Sequence, residues 1–435
     1  MKEKGFPEDW IPPLERSGKM AEINRPLVSV VITTYNRGYC IADALNSVLS
    51  QTYRNFEVIL IDDGSTDNTE QVVRGLGDER IFYRRLPQNC HISAASNIGL
   101  SMAKGELIAR LDSDDRWLPG KLEMQVSYLE SHPECGACFT YVEFTPALKK
   151  GENPPYWYRI FEAKNRSRAE WLHDLYFTGN RFCNTSALFR SSLLKTVGLY
   201  DCSLILLHDF DFWVRTLKKT DVYVIDQPLT VVHWDSGKES DNISVSSDIA
   251  SELRHSYELS YIRAHYFDGM EDGLFREAFQ KELIRPDFSD PEHLACEKAF
   301  LLFLKPEGDF DYRRLHRLAG AHRLTELLNH ENTRKILEQD YSFTPKDFYA
   351  YTGSDFYGTP VSSEKKLKRL QQELSDVRQQ YEDMRQQCKI SEQNCQALIL
   401  EVQNAKSQLE AIQQSTSWKI TKPIRSVMDR LHKKR

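Results

Sequence analysis

Between residues 27 and 145 the chain alternates short apolar runs with stretches whose apolar residues recur every three or four positions. The runs "LVSVVITTYN" (27–36), "FEVILIDD" (56–63) and "ELIARLD" (106–112) are dense in apolar and β-branched residues, as strands covered on both faces are. Two more runs, "RIFYRR" and "GACFTYVEF", read as strands as well. Between them lie "CIADALNSVLSQ", "TDNTEQVVRGL", "SAASNIGLSMAK" and "LPGKLEMQVSYLESH". In the first of these, Ile41, Leu45, Val48 and Leu49 fall at helical spacing. The alternation predicts an α/β fold with a mostly parallel sheet and crossover helices. Ligands of such sheets bind beyond the carboxyl ends of the strands. Those ends carry "TTYN", "DDGSTD" and "LDSDD".

The rest of the chain has a different texture. Residues 1–26 form a polar lead-in, 146–245 are irregular and aromatic-rich, and 246–360 carry helical patterns without recognisable chemistry. From Leu367 to Ile412 apolar residues recur at strict 3–4 spacing, with Ser391 the one polar member of the seam. That predicts a coiled coil over 361–414 and a homo-oligomer joined through 367–412, of open strand number. The last segment, 415–435, sets seven Lys/Arg against one Asp and interleaves Trp418, Ile420, Ile424 and Leu431. Such a segment lies on an anionic membrane surface or stays a solvated basic tail, and the pattern leaves both open.

Composition narrows the field. The 435 residues carry a formal net charge of −6, so no global basic field points to nucleic acid. No apolar run reaches the roughly 18 residues a membrane span needs, and the N-terminus has no apolar core of a secretory signal. Nine cysteines, an odd and scattered set, argue for reduced thiols in a cytosolic setting. Cys135 and Cys138 form a CxxC without a second ligand pair, inside a strand pattern, and are expected to pack as small apolar residues.

The chemistry concentrates in "LDSDD". Asp112, Asp114 and Asp115 repel one another and are costly to bury unpaired. A helix cap needs one Asp, not three. With one residue between them, Asp112 and Asp114 project to the same side of an extended segment. Two carboxylates so placed suit a hard divalent cation, Mn²⁺ or Mg²⁺, that also holds a diphosphate.

Taken in order, "VSVVITTYNR", "SVLSQTY" with "NFEVILIDDGSTD", "AASNIGL", "GELIARLDSDD", "NTSALFR" and "HDFDFWVR" resemble the family 2 inverting glycosyltransferases of the GT-A fold. The resemblance covers residues 27 to about 235 and implies a glycosyltransferase domain at 27–245, with a donor half at 27–145 and an acceptor half at 146–245. It implies a metal-dependent hexosyltransferase that takes a nucleotide-diphospho-sugar donor and a glycan or lipid-linked acceptor. Thr33, Tyr35, Asn36 and Asn97 match donor-side positions, and Asp63 matches the residue that reads the base. A carboxylate there accepts the ring N–H of uracil, thymine or guanine, which tilts the donor to a UDP-, dTDP- or GDP-sugar. Asp112 and Asp114 match the family's DxD pair, near the ribose and on the metal. Asp209 falls on the catalytic base, and His233 on a position that approaches the metal.

Three residues depart from the pattern. His208 stands where the family has Glu, His91 where it commonly has Gly, and Ser96 where it commonly has Arg; Arg110, Arg37 and Arg84 are the candidates to replace that guanidinium. A reading from another class is a catalytically silent scaffold that binds a nucleotide-sugar or glycan and assembles through its coiled coil. The presence of Asp112, Asp114 and Asp209 together favours the enzyme. The expected setting is cytoplasmic, with a peripheral place on the inner face of a membrane as one of the two readings of the tail.

Overall fold

The computed structural model describes residues 25–146, 156–234, 249–302 and 312–353, with 398–412 and scattered positions between 379 and 421. Residues 1–358 form one compact unit and 359–435 a second.

The first strand, β1 (Val28–Thr34), is buried along its whole length. It is flanked by β2 (Phe56–Asp62) and β4 (Leu107–Asp112), with β3 (Ile81–Arg85) beyond β2, all parallel. The connections are helical: α1 (Ile41–Leu49), α2 (Thr69–Gly75) and α3 (His91–Met102). Strand residues alternate faces, and here each face has its own cover. Val28, Val30 and Ile32 pack with Ile41, Leu45 and Val48 of α1 and with Leu122 and Val126 of α4 (Lys121–Ser131). Val31 faces the opposite layer, with Leu100 of α3. Gly99 brings α3 down onto that face: a Cβ there would stand 2.6 Å from Val31 Cγ1.

Beyond β4 the sheet turns mixed. The short β5 (Arg116–Trp117) precedes α4, and β6 (Cys135–Thr145) follows it. After α5 (Arg168–Thr178), the three-residue β7 (Leu188–Arg190) inserts antiparallel between β4 and β6. Next come α6 (Leu193–Thr196), α7 (His208–Leu217) and β8 (Asp221–His233). β8 runs parallel to β6 and antiparallel to β5, which completes the order β3-β2-β1-β4-β7-β6-β8-β5. Cys135 and Cys138 are free, buried thiols in β6.

The helices α8 (Ile249–Ala264), α9 (Asp272–Phe279), α10 (Pro291–Leu301), α11 (Tyr312–Asn329), α12 (Glu331–Asp340) and α13 (Pro345–Thr352) follow. Leu259, Tyr266, Phe275 and Phe279 from this group share a core with Leu172 and Tyr176 of α5 and Trp213 of α7. The apolar seam and the basic tail fall largely outside the described residues. Within 398–412 the chain is helical, and Leu398, Val402, Leu409 and Ile412 are exposed. No helix among the described residues is long and apolar enough to cross a membrane.

Candidate active site

Strand register assembles the site. In the β1–β4 ladder Thr33 lies opposite Asp112, and in the β1–β2 ladder Thr34 lies opposite Asp62. The carboxyl ends of three adjacent strands therefore bring Thr33, Asp63 and Asp112 to one edge. Thr33 is nearly buried there, while Tyr35 is 43% exposed and open to a ligand face.

The turn after β2 depends on Gly64, whose φ is +84° and whose missing Cβ would meet the backbone of Gln88 and Asn89 at about 3 Å. That close approach delivers Cys90 to Asp63: its N–H donates to Asp63 Oδ1 at 2.8 Å and its thiol approaches the same oxygen at 3.1 Å. Burial and the Asp63 carboxylate push the Cys90 thiol up to about 11, so it stays a neutral donor. Asn36 is committed to the same turn, its N–H on Ser65 Oγ and its Oδ1 accepting the Thr66 N–H. Asn97 is committed elsewhere. Its amide bonds both the N–H and the carbonyl of Tyr200, which makes it a brace between α3 and the 200 loop.

The three carboxylates of "LDSDD" take three environments. Asp112 Oδ1 is buried and accepts no hydrogen bond. Burial raises the Asp112 pKa, and Asp114 adds to the rise, while Arg110, 3.7 Å away, works against it. Asp115 is turned inward and accepts the backbone N–H of His233 at 2.8 Å. Burial first, then Asp114 and Asp112, raise its pKa well above the usual range. Ser113 and Asp114 form a turn, closed by the Asp115 N–H on the Asp112 carbonyl at 3.1 Å, so Asp112 and Asp114 do not lie on one extended segment as the spacing predicts. Among the described residues no three His, Cys, Asp or Glu side chains converge as metal ligands. His233 thus does not close a three-ligand set with Asp112 and Asp114; Asp115 holds it through its backbone. Two carboxylates, one with an orphaned oxygen, still fit a cation whose remaining ligands come from a diphosphate.

Asp209 sits in the first turn of α7. Its Oδ1 accepts the Phe210 N–H at 2.8 Å, and its Oδ2 accepts from Asn180 Nδ2 at 2.9 Å. Burial, with Asp112 adding repulsion, raises its pKa to about 7 against the pull of those hydrogen bonds. Asp112 thus acts electrostatically on Asp209. Next to it, burial and the Arg110 cation hold His208 neutral, with a pKa lowered to about 4. Ser96 is buried against Arg110, which donates to Ser96 Oγ at 3.2 Å and to the Val31 carbonyl at 3.1 Å. A guanidinium from β4 thus lies beside the position where the family's pattern has Arg. Arg84 is directed away, its Nη1 3.6 Å from the Met102 sulfur.

Two side chains that spacing rules did not single out help to hold this centre. Asn180 fixes Asp209, and Thr185 takes the Asp112 N–H at 3.0 Å while its carbonyl accepts from Trp117 Nε1. Both arrive from the irregular 179–186 segment, where no periodicity marks them. A cavity of about 370 Å³ lined by Tyr128, Arg166, Arg168 and Asp221 holds none of these residues. It opens at the amino ends of β6 and β8, where Cys135 and Asp221 begin those strands.

Residues 29–196 match the model of the glycosyl transferase family 2. An uncharacterized glycosyltransferase of Methanocaldococcus jannaschii is 30% identical over 206 residues, 46% of this chain and 67% of the relative. The Escherichia coli UDP-Glc:alpha-D-GlcNAc-diphosphoundecaprenol beta-1,3-glucosyltransferase WfaP is 40% identical over 105 residues, 24% of this chain and 42% of that one. Among solved structures, S. aureus TarS 1–349 in complex with UDP-GlcNAc is similar at 18% identity and a TM-score of 0.47, covering 74% of this chain and 89% of that one. The chain spans 61–67% of the length of the curated relatives that it matches over 203–206 residues.

Proposed function

The chain belongs to glycosyl transferase family 2, and on that footing we propose that it transfers a sugar, with inversion, from a nucleotide-diphospho-sugar to a glycan or lipid-linked acceptor in surface polysaccharide synthesis. The observation that supports this most is Asp209, half-buried in the first turn of α7 with its two carboxyl oxygens held by Asn180 and the Phe210 N–H, and with a pKa raised to about 7 by desolvation and by Asp112. A base performs best with a pKa close to working pH. Asp209 takes the proton of the acceptor hydroxyl as that oxygen bonds to the anomeric carbon. The bond from that carbon to the diphosphate breaks on the opposite face, and the configuration inverts. Asn180 and the Phe210 N–H keep the Asp209 carboxylate aimed during this exchange.

Asp112 and Asp114 would hold a divalent cation, Mn²⁺ or Mg²⁺, whose chemistry is to neutralise charge on the leaving diphosphate. Asp63, with one oxygen held by Cys90, would offer the other to the ring N–H of uracil, thymine or guanine. Tyr35 would cover the base and Thr33 the ribose. WfaP, named for UDP-glucose and a diphosphoundecaprenol acceptor, supports a UDP donor and a lipid-linked acceptor. A thermal-shift panel of UDP, dTDP, GDP, ADP and CMP, each with and without Mn²⁺, tests the donor site. A metal-dependent shift with one of the first three, about 2.7 kcal/mol at a hundredfold excess over Kd, is expected. No shift with any nucleotide contradicts the reading.

In the assembly we propose, copies of the chain join through 367–412 in the cytoplasm, with residues 415–435 against an anionic membrane surface. The exposed Leu398, Val402, Leu409 and Ile412 support the joining. Sedimentation of the full chain at the mass of a single copy, without and with phosphatidylserine vesicles, contradicts both parts.

A further inference from the structure

We infer that Glu258, in the helical region, is a positioning residue for Asp209, so that the helices after residue 249 are a working part of the catalytic unit. The inference rests on the functional reading above.

Glu258 lies within α8 and is fully buried. Its carboxylate accepts three consecutive backbone N–H groups: Ile205 at 2.9 Å, Leu206 at 2.8 Å and Leu207 at 2.8 Å. A buried carboxylate is costly unless its lone pairs are filled, and charge-assisted bonds of this kind are strong and directional. Those three residues are the run into α7. The N-cap of α7, Leu207, has no side chain able to cap the helix. Glu258 therefore fixes the N-cap residue Leu207 and the two residues before it, while the Phe210 N–H inside the first turn is taken by Asp209 itself. The next residues are His208 and Asp209.

The far end of α7 is held from the same region. The Lys218 amine, just past the helix, donates to the Asp268 carbonyl at 2.9 Å. With both ends fixed, the first turn has one orientation, and Asp209 meets Asn180 and the Phe210 N–H together. Without the Glu258 acceptors the 205–207 run is free to shift, and the first turn with it. A displacement of about 1 Å at a reacting group can cost on the order of a hundredfold in rate. The donor edge is built on β1, β2 and β4, and α3 meets the same loop at Tyr200 and Leu204, ahead of the 205–207 run that Glu258 holds.

Glu297 supplies the comparison. It is buried as Glu258 is, at 2% exposure, and accepts the N–H groups of Ile284 and Arg285 and the hydroxyl of Tyr341. It organises backbone within the helices and has no part in the site.

The test uses full-length wild type, E258Q, E258D and E297Q. Nucleoside-diphosphate release is measured from UDP-glucose, UDP-N-acetylglucosamine, dTDP-glucose and GDP-mannose with Mn²⁺, alongside melting temperature. E258Q is expected to lose about tenfold or more in kcat with donor KM within about twofold, and E258D to recover part of the loss. E297Q is expected to melt lower with kcat within about twofold of wild type. Wild-type kcat in E258Q overturns the inference, as does an equal loss in E297Q or a matching rise in donor KM. Should E258Q fail to fold, E258D decides alone: a loss of about threefold at unchanged KM supports the inference, and wild-type kcat overturns it. Absence of release by wild type with every donor overturns the functional reading and this inference together. Wild-type release that E258Q leaves intact overturns the inference only.

Discussion

At the scale of the residue, His91 shows how a departure from a family pattern is absorbed. Its φ is +67°, a left-handed conformation that costs a side-chain-bearing residue about 1–2 kcal/mol. A glycine adopts it freely, which accounts for the family's usual choice. The conformation is retained because Gly64 draws the 88–90 backbone close and Cys90 is tied to Asp63. His91→Gly is therefore expected to stabilise the fold by about 1 kcal/mol, less than the full strain because glycine gains freedom in the unfolded chain. Chemical denaturation checks this, and a loss of stability contradicts it. Ser96 and Arg110 make a similar point about charge. The guanidinium absent at Ser96 has a counterpart in Arg110, which stands beside the buried Ser96 hydroxyl. His208 is the reverse case. A residue often read as a titrating group is kept neutral by burial and Arg110, so no charge change of its own enters the pH range in which Asp209 works.

At the scale of the element, α7 carries Asp209, the proposed base, and with it the expected pH dependence. The folded pKa of Asp209, about 7, lies above the usual carboxylate value, so the folded protein binds that proton more tightly than the unfolded chain. The stability it contributes is present below the unfolded pKa of about 4 and is lost as pH rises to about 7. Activity runs the opposite way, because only the ionised base accepts a proton. Transfer is expected to rise with pH and level off above about 7, and a rate flat from about pH 5 to 8 contradicts the assignment.

Much of this architecture is legible in the chain. β1, β2 and β4 announce themselves as continuous apolar runs, and α1 by its spacing, because each buries a face along its own length. β7 does not. Leu188–Arg190 is three residues long and pairs antiparallel with strands far away in sequence. The same holds for Asn180, Thr185 and Glu258. Each acts through one long-range hydrogen bond or a few, and neither periodicity nor spacing encodes such partners. Asn36 and Asn97 lie in visible motifs, and the structure adds what the motifs do not encode: Asn36 Oδ1 accepts the Thr66 N–H and Asn97 braces Tyr200.

At the scale of the whole molecule, the sheet edge and the helices after 249 share one core, so donor edge and base arise from different parts of one folded unit. The donor edge is built on β1, β2 and β4. The proposed base, Asp209, is carried by α7, which shares a core with α5 and the helical region. This division predicts that binding and turnover separate. The most direct test measures donor binding by calorimetry and transfer by nucleoside-diphosphate release, in wild type, Asp209→Asn and Asp114→Asn with Mn²⁺. Asp209→Asn is expected to bind donor within about twofold of wild type while kcat falls by about a hundredfold or more. Asp114→Asn is expected to lose the metal-dependent part of donor binding. Transfer at the wild-type rate in Asp209→Asn would contradict the account, for the base would then lie elsewhere.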